Sequence, residues 1–401
     1  MTAMRVGIDI GGTFTDFVAL DDEGNLQLHK TLSTPSDPIA AIEQGLASLG
    51  ASRPAIVHGT TIVTNSILER KGARVLLVVN EGFEDLLTIG RQTRPSLYEL
   101  TPPVRKPWIS RRDIVGVCAR ISAKGARVAP LRDEEVERLQ RMAADYDAVA
   151  ISLLFSFLDG SDEKRIAAAM PKGVFVSASH QVAPTIGEFE RTATTFLNAF
   201  VGPRAHGYLS ALQARIAPQS LAIMHSAGGL IAAEEAARRP VALALSGPAG
   251  GLVAAAWLGE QLGEARLLSF DMGGTSTDVA AIDETPELAP QGEIAGMPIA
   301  LPMLAIHTIG AGGGSIAWID EAGLPRVGPA SAGAEPGPVC YGRGGKFPTI
   351  TDADCVIGRL PSGVRLAGGL RLHRQAAQQA FARFGKQLGL DAKEAALAAI
   401  R

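Results

Sequence analysis

The chain reads as an α/β protein built on two related halves, and two observations predict it. The first is a stretch that occurs twice. DIGGTFTDFVA runs from Asp9 to Ala19 and DMGGTSTDVAA from Asp271 to Ala281, identical at seven of eleven aligned positions. Each copy follows an apolar run and leads into another, the pattern of a strand, a tight hydroxyl-rich turn and a second strand. The copies lie too far apart for a solenoid repeat, so duplicated domains or subdomains are expected. The second observation is the element order after the first copy: three strands, a helix, a strand and a helix, an α/β order with a mixed sheet.

The elements follow in sequence. LQLHKTL makes the third strand after a tight turn at Asp22–Asn25. A helix is expected over Asp37–Leu49, capped by Ser36 or Asp37 with Pro38 in its first turn. AIVHGTTIVTNSILERKG gives a strand ending near His58, a turn, and a helix from Thr61 to Arg70; VLLVVN (Val75–Asn80) is an unbroken apolar run, hence a buried parallel strand. EGFEDLLTIG is a short helix. Residues 91–130, with five prolines and no clean period, read as an inserted, partly irregular segment on the first domain. A helix over Asp133–Tyr146, the strand AVAISLLFSF and a helix after Ser161 come next. Long helical stretches then break at Pro203. A domain change is placed near Pro184, dividing the chain into 1–183 and 184–401. In the second part LAIMHSAGGL is a strand and turn, SGPAGGLVAAAWLGEQLG a helix of small residues, and Pro286–Ile306 irregular. His307–Asp320 reads as strand, glycine turn, strand, and helical stretches follow TDADC and run from His373 to Arg401.

Composition narrows the function. A chain of 401 residues exceeds what one hydrophobic core ordinarily serves. Its 46% hydrophobic and 20% charged residues match an ordinary globular protein. A net charge of −3 offers no basic field for nucleic acid, and no apolar run reaches the length of a membrane span. Cys118, Cys340 and Cys355 lack metal-ligand spacing, and their odd number argues against a disulfide framework. With no secretory signal ahead of the first strand, a cytoplasmic location is expected.

The duplicated loop carries the chemistry. Paired glycines let the backbone approach an anion, threonine hydroxyls add donors, and an aspartate at the strand end can hold a hydrated Mg²⁺. The ligand this suits is the phosphate tail of a nucleotide, gripped from two sides. HGTTIVTN (His58–Asn65) sits at a strand-to-helix junction, where free N–H groups favour anions; the alternative is a capped helix with His58 buried. TIGAGGGSIAWID (Thr308–Asp320) either lets the backbone pass close to a ligand, with His307 nearby, or is a plain glycine-rich hairpin. EFER (Glu188–Arg191) reads as cleft charges or as a salt bridge at a helix start. Cys340 reads as a packed small side chain.

Duplicated strand–Asp–Gly–Gly–Thr hairpins resemble the phosphate motifs of the actin, sugar-kinase and heat-shock ATPase superfamily. Within it the chain is similar to the hydantoinase A and 5-oxoprolinase family, which includes N-methylhydantoinases and a subunit of acetone carboxylases. The strings that carry the resemblance are DIGGTFTDFV, HGTTIVTNSILERKGA, GFEDLLTIGRQTRPSLY, EFERTATTFLNAFV, SGPAGG, SFDMGGTSTDVA, TIGAGGGSIAWID, GPASAGAEPGPVCYGRGG and TDADCVIGRL, in order along nearly the whole chain. The resemblance implies duplicated ribonuclease H-like domains with ATP in the cleft between them. It implies ATP-driven phosphorylation of a substrate carbonyl oxygen, with Mg²⁺. The substrate is a small cyclic amide, and a hydantoinase B-type subunit is the partner; assembly into a homo-oligomer stays open. Two alternatives accompany it: an ATP-dependent ketone carboxylase subunit, and a truncated non-catalytic nucleotide-binding protein. Asp9 and Asp271 are the expected metal-holding and catalytic residues, with His58 catalytic. Gly11, Gly12, Thr13, Phe14 and Thr15 are expected to contact phosphates from one side, and Gly273, Gly274, Thr275 and Ser276 from the other, with Gly310, Gly312 and Gly313 also against the nucleotide. Thr60, Thr61, Asn65 and His307 are the substrate candidates, while Asp16 and Asp278 brace the loops. The resemblance also implies a further glycine-rich loop for the adenosine after the TDAD helix, and no stretch before Arg401 supplies one.

Overall fold

The computed structural model describes residues 4–11, 14–34, 37–93, 98, 100–101, 106–274, 276–333, 335–361, 363 and 370–401. Ser36, one of the two expected caps, lies outside them. The first half opens with β1 (Arg5–Ile10), β2 (Phe14–Leu20), β3 (Leu26–Leu32), α1 (Pro38–Ser48), β4 (Ala55–Thr60) and α2 (Ile62–Leu68). β2 pairs antiparallel with β1 on one edge, and β4 runs parallel to it on the other. Every second residue of β1, Val6, Ile8 and Ile10, is buried. They share a core with Ile39 and Ile42, which the helical period sets on one side of α1.

This sheet is mixed, as expected, and β5 (Val75–Asn80) leaves it. After the short α3 (Leu86–Ile89) come β6 (Ile114–Val117), the β7–β8 pair (Arg120–Ile121, Arg127–Ala129), α4 (Asp133–Ala143), β9 (Ala148–Ser152), α5 (Ser161–Ala169), β10 (Phe175–Ala178) and α6 (Ser179–Val182). β5 forms a separate, wholly parallel sheet in the order β10-β9-β5-β6. All six of its residues are buried because both faces are covered. Val75, Leu77 and Val79 join the core of the first sheet, while Leu76 and Val78 pack with Leu139, Ala143 and Ile166 of α4 and α5. Within the expected, partly irregular insert, residues 114–129 supply an edge strand and a hairpin.

Between the two sheets runs α7 (Glu188–Ile216), a single 29-residue helix with Pro203 inside it, not the broken stretches expected. Proline removes one helical hydrogen bond, but Phe196, Leu197, Ala199, Phe200 and Val201 before it and Ala205, Tyr208, Leu209 and Leu212 after it are all held in one core. That packing outweighs the missing bond. β11 (Ser220–Met224) and β12 (Leu230–Ala232) then return to the first sheet, completing the order β12-β11-β4-β1-β2-β3. Strands from both sides of residue 184 therefore share one sheet.

The second half follows α8 (Ala233–Arg238) and α9 (Ser246–Leu262). β13 (Arg266–Met272) and β14 (Thr277–Asp283) repeat the first hairpin, with Asp271 opposite Asp278 as Asp9 is opposite Asp16. The stretch expected to be irregular is a run of short ladders: β15 (Thr285–Pro286), β16 (Leu288–Ala289), β17 (Gly292–Ile294), β18 (Met297–Ile299) and β19 (Met303–Leu304). β20 (His307–Ile309) pairs with β14, whereas β21 (Ser315–Ile319) pairs with β22 (Pro325–Ser331). The glycine run between them thus connects two sheets and is not a hairpin tip. α10 (Ile350–Ile357), α11 (Arg374–Lys386) and α12 (Ala392–Ile400) close the chain around Phe381, Phe384, Cys340 and Cys355.

Candidate functional site

The two hairpins are closed by the same bond. Gly11 N–H donates to the Phe14 carbonyl at 2.9 Å, and Gly273 N–H donates to the Ser276 carbonyl at 2.9 Å. Gly12, Thr13 and Thr275 lie outside the described residues. Thr15 and its counterpart Thr277 are buried behind the turns. The Thr15 hydroxyl meets Ser33 Oγ at 2.9 Å, and Ser33 in turn donates to the Gly11 carbonyl. Thr277 donates to the Ala311 carbonyl at 2.5 Å. Thr15 is therefore placed as a brace and not as a phosphate contact. Asp16 pairs with Lys30 at 2.5 Å, and Asp278 accepts from Thr308 at 2.6 Å, so both hold their loops from the neighbouring strand. Lys30 also lies 5.0 Å over the Phe14 ring.

Asp9 and Asp271 end their strands beside these turns, and both are open to solvent. Crowding by protein, then the charges of Asp16 and of Asp271, hold the Asp9 carboxyl above the ordinary carboxylate range. Burial and then the Asp271 charge, against the Thr308 hydrogen bond, do the same for Asp278. The Asp271 charge thus reaches Asp9 on the other hairpin, so the two strand ends lie near one acidic locus. Among the described residues no group of three or more His, Cys, Asp or Glu side chains gathers closely enough to ligate a metal directly. The locus fits a hydrated divalent cation held through water, which would relieve the mutual repulsion.

The wall behind Asp9 comes from β4 and α9. A Cβ on Gly59 would lie 3.2 Å from Asp9 Oδ1, and one on Gly247 would lie 3.9 Å from that oxygen and 3.8 Å from Thr61. The start of α9 is stapled here: Leu245 N–H donates to Thr64 Oγ1 at 2.8 Å, and Ser246 Oγ donates to the Thr60 carbonyl at 3.2 Å. Leu245 holds the left-handed conformation, φ 60°, that this entry angle requires. Thr61 donates to the Ile10 carbonyl and accepts from the exposed Asn65. Thr60 is buried.

His58 is placed differently from its expected catalytic role. It is fully buried, with Nδ1 at 3.2 Å from the Ile8 carbonyl and Nε2 at 2.7 Å from the Tyr208 hydroxyl. Burial drives its pKa down to about 4. With both nitrogens engaged in the core, the ring is neutral and positions β1 and β4 from beneath the site. The glycine run is also spent on support. Gly313 N–H donates to the Gly273 carbonyl at 2.9 Å, Gly314 N–H to the Gly274 carbonyl at 2.7 Å, and Gly312 N–H to Ser315 Oγ at 2.8 Å. A side chain on Gly314 would meet the Gly274 carbonyl at 2.8 Å, so this close approach requires glycine. Gly310 opens the same run, and His307 is exposed on β20. Glu190 of EFER pairs in bidentate fashion with Arg91 at 2.7 Å, and Arg191 is buried, donating to the Thr185 and Leu153 carbonyls. Cys340 is fully buried.

Sequence reasoning missed Ser33, Tyr208 and Thr351, the last of which donates through both N–H and Oγ1 to the Gly313 carbonyl. Each acts through a long-range contact with no local signal, although Thr351 lies inside a string that carries the family resemblance; Thr64 lies in the HGTTIVTN stretch already singled out, where its contact with Leu245 was not readable.

Residues 5–173 match the hydantoinase/oxoprolinase N-terminal region, and residues 191–401 match hydantoinase/oxoprolinase. The chain is 38% identical to an uncharacterized protein of Methanocaldococcus jannaschii over 99% of this chain and 62% of that one. It is 37% identical to the caprolactamase subunit alpha of Pseudomonas jessenii, over 99% of this chain and 60% of that one. The nucleotide-free structure of an acetone carboxylase, from work on ATP-dependent acetone carboxylation, superposes with a TM-score of 0.84 at 30% identity, covering 100% of this chain and 61% of that chain. The chain thus spans about three-fifths of the length of these relatives. Among the described residues no helix is long and apolar enough to cross a membrane. The fold is the duplicated ribonuclease H-like, actin-like ATPase architecture, and the chain belongs to the hydantoinase/oxoprolinase family.

Proposed function

We propose that this chain is the nucleotide-binding, A-type subunit of a two-component enzyme that opens a cyclic amide of the hydantoin or 5-oxoproline type by ATP-dependent activation. The supporting observation is the pair of matching Asp-led hairpins whose carboxylates converge on one locus. An unstrained lactam is a poor electrophile. Transfer of the γ-phosphoryl group to the ring carbonyl oxygen gives ADP and makes that oxygen a leaving group. Water then adds to the carbon, the ring C–N bond breaks with a proton going to nitrogen to leave an acyl phosphate, and a second water hydrolyses that acyl phosphate to the carboxylate and phosphate. Phosphoryl transfer asks for positioning and charge neutralisation above all. In this reading the two turns and the start of α9 orient phosphate oxygens, and Asp9 and Asp271 hold a hydrated Mg²⁺, which supplies charge neutralisation when bound. Thr61, Asn65 and His307 face the substrate side, and a B-type partner completes ring opening. The sheet of the first hairpin, which takes strands from both sides of residue 184, and the sheet of the second hairpin act as the two jaws, in a cytoplasmic protein.

The acetone carboxylase superposition favours a second reading, phosphorylation of a ketone that is then carboxylated. ADP release measured with the partner subunit present, comparing 5-oxoproline, hydantoin and caprolactam with acetone plus bicarbonate, separates the two. Stimulation by a cyclic amide supports the first reading, and stimulation by acetone plus bicarbonate alone replaces it with the second. Calorimetry showing no binding at millimolar ATP removes both.

A further inference from the structure

The duplication reaches past the turns into a third strand. In the first half Asp9 lies opposite Asp16, and Asp16 opposite Lys30 of β3; in the second half Asp271 lies opposite Asp278, and Asp278 opposite Thr308 of β20. The residues before them match as well, His29 opposite Phe17 and His307 opposite Val279. Each half thus carries a row of three side chains on one face of its sheet, Asp–Asp–Lys in the first and Asp–Asp–Thr in the second. The middle aspartate accepts a hydrogen bond from the third residue in both, from Lys30 Nζ at 2.5 Å and from Thr308 Oγ1 at 2.6 Å. A neutral hydroxyl therefore makes this brace as well as an ammonium does, and bracing alone does not account for the charge of Lys30. Its position is informative. Lys30 Nζ lies 5.0 Å from the centre of the ring of Phe14, the residue whose carbonyl closes the first turn. Burial and then the charges of Asp16 and Asp271 hold the Asp9 carboxyl up, and among the described residues Lys30 is the one cation that draws it down. The ion pair is open to water, with 44% of the Lys30 side chain and 45% of the Asp16 side chain exposed. A pair so exposed is weakly held, and an ammonium on a flexible four-carbon stem exchanges readily to a stronger anion.

We propose that Lys30 is a phosphate-binding residue, which rests on Asp16 in the nucleotide-free chain and moves from that carboxylate to the phosphate chain of ATP when ATP binds. The inference rests on the proposed function and deepens it, because it gives the two jaws unequal tasks. The two rows together present four carboxylates, Asp9, Asp16, Asp271 and Asp278, to a ligand that is itself a polyanion. Lys30 supplies beside the first turn a full positive charge, which backbone N–H groups and hydroxyls do not. The first jaw thereby neutralises charge on the phosphates through a side chain of its own. The second, with Thr308 in the matching place, orients them with neutral donors. Asp16 is then a resting place for the lysine as well as a brace for the loop.

Calorimetric titration of the chain with ATP and Mg²⁺ tests this, with the second half as the guide to the substitution. Lys30→Thr reproduces in the first half the brace that Asp278 and Thr308 make in the second, and removes only the charge. It should weaken ATP binding about tenfold or more, and Lys30→Arg, which keeps the charge, should recover most of that loss. Asp16→Asn releases the lysine and should strengthen ATP binding several-fold, a gain that should vanish in the Lys30→Thr background. A gain that persists there comes from lost repulsion alone and overturns the proposal, as does no gain at all. Lys30→Thr binding ATP within about twofold of the wild-type chain overturns it too, while leaving the proposed function standing. A wild-type chain that binds no ATP at millimolar concentration overturns both.

Discussion

The His58 imidazole is shut between the Ile8 carbonyl and the Tyr208 hydroxyl, with its pKa held down to about 4 by burial. Below pH 6.5 the unfolded chain takes up a proton there that the folded chain refuses until about pH 4. The stabilisation is therefore complete above pH 6.5 and lost as pH falls toward 4, about 3 kcal/mol in all. Urea unfolding at pH 7 and 4.5 should show His58→Gln losing about 2 kcal/mol of the wild-type pH dependence. Asp9 has the opposite sign. Its folded carboxyl holds a proton more tightly than the unfolded one, so stability falls as pH rises above the ordinary carboxylate value and stays lower at neutrality. Asp9→Asn should raise the melting temperature at pH 7 while cutting ATP hydrolysis by roughly 10²-fold or more. A variant both less stable and fully active would remove Asp9 from the site. Asp9 and Asp271 stand out in the sequence as candidates because chemistry and duplication are both written locally. His58 was legible as a residue of interest but not in its role, because burial is decided by α7, 150 positions away in sequence.

At the scale of elements, the strands and hairpins were readable from their alternation, and most helices from their period and caps. What could not be read was partnership. VLLVVN announces a strand buried on both faces without saying which helices cover it or which strands flank it. Pro203 signals a helix break by local rules, and tertiary packing along α7 overrules it. The strands flanking the glycine run were recognisable, but not that each pairs elsewhere and that Gly313 and Gly314 buttress the second turn. The start of α9 offers a test at this scale. Thr64 Oγ1 accepts the Leu245 N–H beside Asp9, so Thr64→Val leaves that donor unpaired at a cost of about 1–2 kcal/mol. Thermal unfolding should register the loss, the KM for ATP should rise, and Thr64→Ser should recover both. An unchanged KM alongside the lower stability would separate the staple from nucleotide binding.

For the whole molecule, the two hairpins come from distant parts of the chain, and burial, the Asp16 charge and then the Asp271 charge from the other hairpin hold the Asp9 carboxyl up. A ligand gripped by both jaws must order both, whereas one held by a single loop leaves the other free. Hydrogen exchange with and without ATP and Mg²⁺ should therefore slow at Gly11 and Phe14 and at Gly273 and Ser276 together. At ATP concentrations about 100 times its dissociation constant, unfolding should cost about 2.7 kcal/mol more than without ligand. Asp271→Asn should weaken protection at the first hairpin as well as the second, since the two loops would share one cation and one phosphate chain. Protection confined to the first hairpin in the wild-type chain would mean that the second copy is a structural duplicate and not the other half of a clamp.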